Sequence, residues 1–148
     1  MDVDSKSLVE SARFIWRRDP ALGCTPEEYA KYLTDGDEAH LKLRGEPVRF
    51  RLVRLKRRQY IEVKDLALGG RHEAAAQLAA AYGVQGVDGL SIDGRPVTLE
   101  RSGDTLSQSA LDTLYSLHGD LITALGNHIF GMSDIGPFYG KPFGSSPG

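Results

Sequence analysis

The alternation of apolar and polar positions is sharpest between residues 41 and 60, LKLRGEPVRFRLVRLKRRQY. Val48, Phe50 and Leu52 fall on one side of an extended chain and Arg49 and Arg51 on the other, the two-residue beat of a strand. Leu41-Lys42-Leu43-Arg44 repeats that beat, and Gly45-Glu46-Pro47 interrupts it. The pattern predicts a β-hairpin over residues 41–55 with one apolar and one basic face. Upstream, Leu8, Ala12 and Ile15, with Val9 and Trp16 beside them, follow the helical period, so residues 7–18 are expected to form a helix that Asp19-Pro20 ends. Thr25-Pro26-Glu27-Glu28 predicts a second helix start, with Thr25 as cap, proline in the first turn and Glu28 closing a capping box. Tyr29, Tyr32 and Leu33 mark its apolar stripe, and Thr34-Asp35-Gly36-Asp37 stops it by residue 34.

Past the hairpin, residues 57–68 suit two readings. Tyr60-Ile61-Glu62-Val63 would extend a strand, whereas Leu55, Gln59, Glu62 and Leu66 recur at helical spacing; the charges at Glu62, Lys64 and Asp65 favour a helix, ended by Gly69-Gly70. The alanine-rich run at 71–82 is helical by propensity, with Gly83 as its expected cap. Gly83, Gly86 and Gly89 follow a helix and lack a Lys-Ser/Thr pair, so they predict a turn into the next strand and not a phosphate loop. Residues 90–100 read as a second hairpin turning at Asp93-Gly94. Thr105 and Gln108 form a second capping box, opening a helix through Leu106, Ala110, Leu111, Leu114 and Leu117; after His118-Gly119-Asp120, Leu121, Ile122, Ala124, Leu125 and Ile129 line another. Together these predict an αα-hairpin over residues 105–130. The expected fold class is therefore α+β: one mostly helical domain over residues 1–131 with two β-hairpins. Residues 132–148 are too rich in Gly, Pro and Ser to bury much surface, which predicts a flexible tail. Its Phe138, Tyr139 and Phe143 are candidate partner-docking aromatics.

Composition refines this picture in one respect. The 148 residues carry a formal charge of −2 and are 41% apolar, enough for a single core. Eight of the eighteen Lys and Arg residues lie between Lys42 and Arg58, with only Glu46 opposing them. An acidic chain with one basic strip is not a general nucleic-acid binder, but the strip can steer one anionic partner. Cys24 is the only cysteine, so no intrachain disulfide can form, and a free thiol suits a reducing compartment. The acidic start MDVDSKSLVE does not read as a signal peptide, and no apolar run reaches membrane-spanning length, so neither secretion nor a membrane is expected.

Catalytic chemistry is not apparent in the residues. His40, His72, His118 and His128 form no i, i+4 pair, and Cys24 has no histidine near it in sequence, so no metal or cofactor is expected and Cys24 reads as an inert thiol. Asp35, Asp37 and Glu38 lack the spacing of a calcium loop and read as solvated loop acids. The candidate site is the strip itself, Arg49, Arg51, Arg54, Lys56, Arg57 and Arg58. It admits three readings: a solvated face, a protein interface favoured by arginine's planar donors, or a nucleic-acid contact with only Phe50 and Tyr60 available for stacking. Nucleic acid is the disfavoured partner of the two.

One layout adds to this. The strand P-V-R-F-R-L-V-R-L is followed by a helix, then by the glycine-flanked Gly89-Leu90-Ser91-Ile92-Asp93-Gly94-Arg95-Pro96-Val97, then by two short helices. Over residues 41–131 this resembles the tail assembly chaperones and related small tail-region proteins of long-tailed bacteriophages. The resemblance implies a non-catalytic viral protein that binds the tape measure protein, or other tail or head proteins, in the host cytoplasm during assembly. It assigns no residue a role. The N-terminal helices and the aromatic tail lie outside the pattern. They leave room for a virion structural component, in the head or tail, that binds neighbouring subunits through its C-terminal tail.

Overall fold

Phe50 and Leu52 need an apolar neighbour on the face that Arg49 and Arg51 do not use, and the fold supplies it with helices. The computed structural model describes residues 11–134. It is an α+β fold, mostly helical. In chain order its elements are β1 (Ser11–Phe14), α1 (Pro26–Asp35), a 3₁₀ turn (Glu38–Leu41), β2 (Arg49–Val53), α2 (Arg57–Leu68) and α3 (His72–Gly83). There follow β3 (Val84–Asp88), the paired β4 (Ser91–Ile92) and β5 (Arg95–Pro96), the paired β6 (Arg101–Ser102) and β7 (Thr105–Leu106), α4 (Gln108–Leu117) and α5 (Leu121–Asp134).

The main sheet is antiparallel in the order β1-β2-β3. Phe14, Phe50 and Val87 stand in one row, and Ala12, Leu52 and Val84 in the next. These rows meet a core that also holds Val63 of α2, Ala75, Ala79 and Ala80 of α3, and Leu121, Leu125 and Ile129 of α5. A smaller cluster of Ile15, Tyr32 and Leu41 fixes α1 and the 3₁₀ turn to the same chain segment. The hydroxyl of Tyr29 donates to the Ile15 carbonyl (2.7 Å), and the Tyr32 hydroxyl accepts from the Ile15 N–H (3.2 Å).

The sequence expectation for β2's partner is corrected. Leu41 to Arg44 do not form a hairpin arm; β2 pairs with β1 and β3 instead. Asp37 caps the 3₁₀ turn by accepting from Ala39 N–H, and Lys42 ends it at φ +48°, which breaks any extended run. The backbone beyond it bonds to residues 21–23, with Arg44 N–H donating to Ala21 and Gly23 N–H to Leu41. The helix expected at 7–18 is likewise corrected over the described part. Residues 11–14 are a strand, because Ala12 and Phe14 also satisfy a two-residue beat and β2 offers an unpaired edge. Trp16 is half-buried against the core, edge-on to His118 at 5.1 Å between ring centres.

Five smaller corrections follow. Gly83 does not cap α3; Val84 does, in extended conformation, and Gly83 is the last helical residue, where Ile129 occupies the space of a Cβ. Gly86 belongs to β3, not to a turn. Thr105 starts no helix: it pairs with Ser102, and the cap of α4 is Ser107, whose Oγ accepts from Ala110 N–H at 3.1 Å. The hairpin turning at Asp93 (φ +52°) and Gly94 (φ +76°) pairs Ser91 with Pro96 and Ile92 with Arg95, with Val97 N–H donating to the Leu90 carbonyl (2.9 Å) behind them, ending short of residue 100. Finally α5 runs to Asp134, past the boundary expected at 131.

α3 and α5 share the most extensive contact between elements. The alanines of α3 permit it, and so does Gly126. A Cβ there would lie 2.6 Å from the Ala76 carbonyl carbon and nearer still to its oxygen. The end of α5 is tied back to the chain between β2 and α2. Ser133 Oγ accepts from Leu55 N–H (2.9 Å) and donates to Ile129 O (2.7 Å), and the Tyr60 hydroxyl donates to the Asp134 carboxylate.

Candidate functional site

The basic strip is one run in sequence, but alternation on β2 and the start of α2 divide it into parts with different surroundings. Arg49 points away from the core toward the 3₁₀ turn. Its Nε and one terminal nitrogen donate to both carboxylate oxygens of Glu38 (3.1 and 2.7 Å), and the other reaches Glu46 at 3.2 Å. This forked pairing holds the Glu38 carboxyl below its usual range and raises the guanidinium's already high pKa. Arg49 is thus neutralised where it stands.

Arg51 faces Arg13 of β1 on one side and Gly86 of β3 on the other. Its guanidinium lies across Gly86, so close that a Cβ at that position would be 2.8 Å from Arg51 Cζ. Its Nε is 3.3 Å from an Asp88 carboxylate oxygen, with both side chains about half exposed. Arg54 donates to the Ser133 carbonyl at 3.2 Å, placing its charge at the negative end of α5.

Lys56, Arg57 and Arg58 are exposed, and none of them forms an ion pair with a described residue. They occupy the N-cap and first turn of α2, a turn with no acidic residue. The backbone is satisfied locally, since Lys56 N–H donates to Oε1 of the buried Gln59 at 2.9 Å. The electrostatics are not. The first turn of a helix carries partial positive charge, and a cation there is disfavoured by about 0.3–1 kcal/mol. Three cations in this position concentrate a positive potential that an anionic group relieves.

The same helix exposes apolar surface that the sequence reading passed over. Gln59 and Val63 are buried, so the opposite side of α2 faces out. On that side Ile61 is 45% and Leu68 76% exposed. The signal was present: once Val63 is the inward residue, Ile61 and Leu68, seven apart, fall together on the outward face. Phe138, Tyr139 and Phe143 lie outside the described residues.

Other chemistry is dispersed. Cys24 is half-buried beside the Ile15, Tyr32 and Leu41 cluster, in the wall of an open cleft of about 680 Å³ with Arg17, Arg18, Thr25 and Tyr29. The helix start in that cleft is already satisfied: Thr25 Oγ1 accepts from Glu28 N–H and Glu28 accepts from Thr25 N–H. Lys42, 2.6 Å from Glu28, and that cap hold the carboxyl down to a pKa of about 2. The histidines stand on separate elements. His40 meets Asp35 at 2.7 Å, His118 meets Arg18 at 2.6 Å, and His128 lies against Phe14 with ring centres 4.6 Å apart. Among the described residues, no group of three or more His, Cys, Asp or Glu side chains is placed to hold a metal, and no helix is long and apolar enough to cross a membrane. No family model, no curated protein and no solved structure matches the chain.

Proposed function

We propose that this chain is a non-catalytic bacteriophage protein that acts in tail assembly by binding the tape measure protein or another tail protein through the outward side of α2. The supporting observation is the juxtaposition on that one helix of three cations, Lys56, Arg57 and Arg58, that form no ion pair with a described residue, with exposed Ile61 and Leu68. A surface that joins arginine to large apolar side chains has the composition of protein interfaces. Nucleic acid fits it less well. Arg49, Arg51 and Arg54 already have protein partners, which leaves three cations for phosphates. Three contacts give a log–log salt slope of only about −2.7 on duplex DNA, and so weak retention at physiological salt.

The test is deletion of the coding gene from the phage that carries it, with particles viewed by electron microscopy, beside co-purification of tail proteins with the tagged chain. Expected are tailless or aberrant particles, and capture of a tail protein that Arg57→Glu/Arg58→Glu weakens while DNA retention stays at background. Normal tails in the deletion mutant refute the reading. Duplex DNA shifted at physiological salt, and released by the same charge reversal, refutes it in favour of a nucleic-acid role. Mass spectrometry of purified particles then separates a discarded chaperone, absent from them, from a structural component present in stoichiometric copies.

A further inference from the structure

A groove of about 450 Å³ runs along the final turns of α5, between that helix, the C-terminal half of α1 and β1. Its apolar walls are Ala12, Tyr32, Leu33 and Met132, and the ring of His128, which lies against Phe14, adds to the α5 side. Leu33 is left 44% exposed there. The charged side chains lining the groove are Arg13 and Asp35. They balance, and Asp35 is already engaged by His40 at 2.7 Å and by the Asp37 N–H at 2.8 Å. The groove therefore selects by its apolar walls and not by its charge.

We propose that this groove is the docking site of the chain's own residues 135–148, seated through Phe138 and Tyr139. Those fourteen residues follow directly on Asp134, the last residue of α5. Ile135 is seven positions on from His128 and four on from Gly131, the spacing of the groove-facing side of α5, so the chain departs on that side. Pro137 ends any continuation of the helix, because its ring clashes with the carbonyl four residues back and it has no N–H to donate. Gly136 before it lets the backbone reverse. The four residues from Asp134 to Phe138 reach roughly 13–14 Å when extended. The helix from Asp134 back to Asn127 measures roughly 10 Å, so Phe138 and Tyr139 reach the whole length of the groove. The composition fits apolar walls: Ile135, Phe138, Tyr139 and Phe143 are apolar or aromatic, and Lys141 is the segment's only charged side chain. Residues 1–10 also join the described chain near the groove, at Ser11, but they hold three acids, one lysine and no aromatic. Tethering favours the chain's own segment over a second copy. A short tether keeps the local concentration in the millimolar range, so a contact too weak to form between molecules still closes within one. Any partner that takes Phe138, Tyr139 or Phe143 then competes with the groove for them.

The test is the accessibility of the groove in the full chain. In a Cys24→Ser background, Asn127→Cys places one thiol on the exposed lip of the groove, and Leu68→Cys places a reference thiol on the outward side of α2. Each is modified with excess iodoacetamide and the rate followed by mass spectrometry. With a contact of about 0.1 mM and a local concentration of about 1 mM, the groove is filled about ten times as often as it is empty. The Asn127→Cys thiol should therefore react roughly tenfold faster once Phe138→Ser/Tyr139→Ser/Phe143→Ser is added to the same chain. Leu33→Ser, which strips the opposite wall of its largest exposed apolar side chain, should release it likewise. The reference thiol should react at one rate throughout. Circular dichroism checks that each variant folds; should Asn127→Cys fail to, Thr34→Cys, exposed on the opposite wall, repeats the measurement. A groove thiol whose rate the aromatic substitutions leave unchanged overturns the proposal. Release by deletion of residues 2–10 in place of the aromatic substitutions overturns it in favour of the N-terminal segment. A rate that falls as the protein concentration rises overturns it in favour of a second copy.

Discussion

Replacing Gly126 with alanine tests whether the α3–α5 contact is set by the lack of a side chain. The added methyl would lie 2.6 Å from the Ala76 carbonyl carbon and 2.8 Å from its Cα, both backbone atoms that no rotamer change can move. Ordinary carbon contacts begin near about 3.5 Å, so the two helices must part by roughly 1 Å. A gap of that size forfeits a quarter to a half of each dispersion contact around it, and the overpacking range of about 1–3 kcal/mol applies at its upper end. Alanine's helix preference returns about 1 kcal/mol. The net loss is about 2 kcal/mol, or roughly 6–10 °C in melting temperature for a domain of this size. Gly131 supplies the control. It lies on the same helix, and a Cβ there meets no atom of the described residues within 4 Å. Gly131→Ala should gain up to about 1 kcal/mol from helix propensity alone. Urea unfolding followed by circular dichroism at 222 nm measures both variants, with unchanged m values expected. Gly126→Ala at or above wild-type stability would refute the packing argument, and so would equal effects at the two glycines.

Ser133→Ala should destabilise by about 1–3 kcal/mol in the same assay, because the buried Leu55 N–H loses its acceptor; a loss below a few tenths would show that another group satisfies it. Glu38→Gln should cost about 1 kcal/mol at low salt and less at high salt, since the pair with Arg49 is only partly shielded from solvent; equal loss at both salt concentrations counts against an electrostatic origin. Burial depresses the pKa of His128, which lies against Phe14 in a groove also lined by Arg13 and Asp35. The folded protein therefore resists protonating a group that the unfolded chain protonates readily. That contribution is complete above about pH 6.5 and is lost as pH falls, with a slope of at most about 1.4 kcal/mol per unit. His128→Gln should flatten the dependence of stability on pH below about pH 6.5; an unchanged slope in the variant would assign the effect elsewhere.

Much of the fold is legible locally because the decisive contacts are local. Thr25 and Glu28 cap α1 reciprocally, as two residues three apart can. Asp93 and Gly94 both adopt positive φ, and Phe50 and Leu52 face inward while Arg51 faces out. What the sequence does not declare is which distant segment completes an element. Nothing in Phe50 or Leu52 distinguishes Leu41–Arg44 from residues 11–14 as a neighbour, and the nearer candidate fails on Lys42's left-handed backbone. Thr105 and Ser107 are both competent caps. Leu106 decides between them, because it is buried and needs the extended geometry of β7 to turn inward. The candidate surface followed the same logic. Charge alone grouped six cations, and only the fold shows that Glu38, Asp88 and the Ser133 carbonyl engage three of them.

The tie between Leu55 and Ser133 also sets a schedule. The two residues are 78 positions apart, so the basic strip is synthesised long before the hydroxyl that secures it. At about 5–20 residues per second the interval is roughly 4–16 s. At the start of that time β2 can pair with β1, but α3, β3 and α5 are still to come, and the apolar side of Phe50 and Leu52 lacks their cover. The nascent chain therefore presents an arginine-rich strand with a greasy reverse side to the crowded interior of the cell. Like charges along a strand that still has an open edge disfavour its pairing with a second copy of itself. Glu38 is already made when Arg49 is added, whereas Asp88 follows Arg51, so Arg51 is the cation of β2 whose partner comes late.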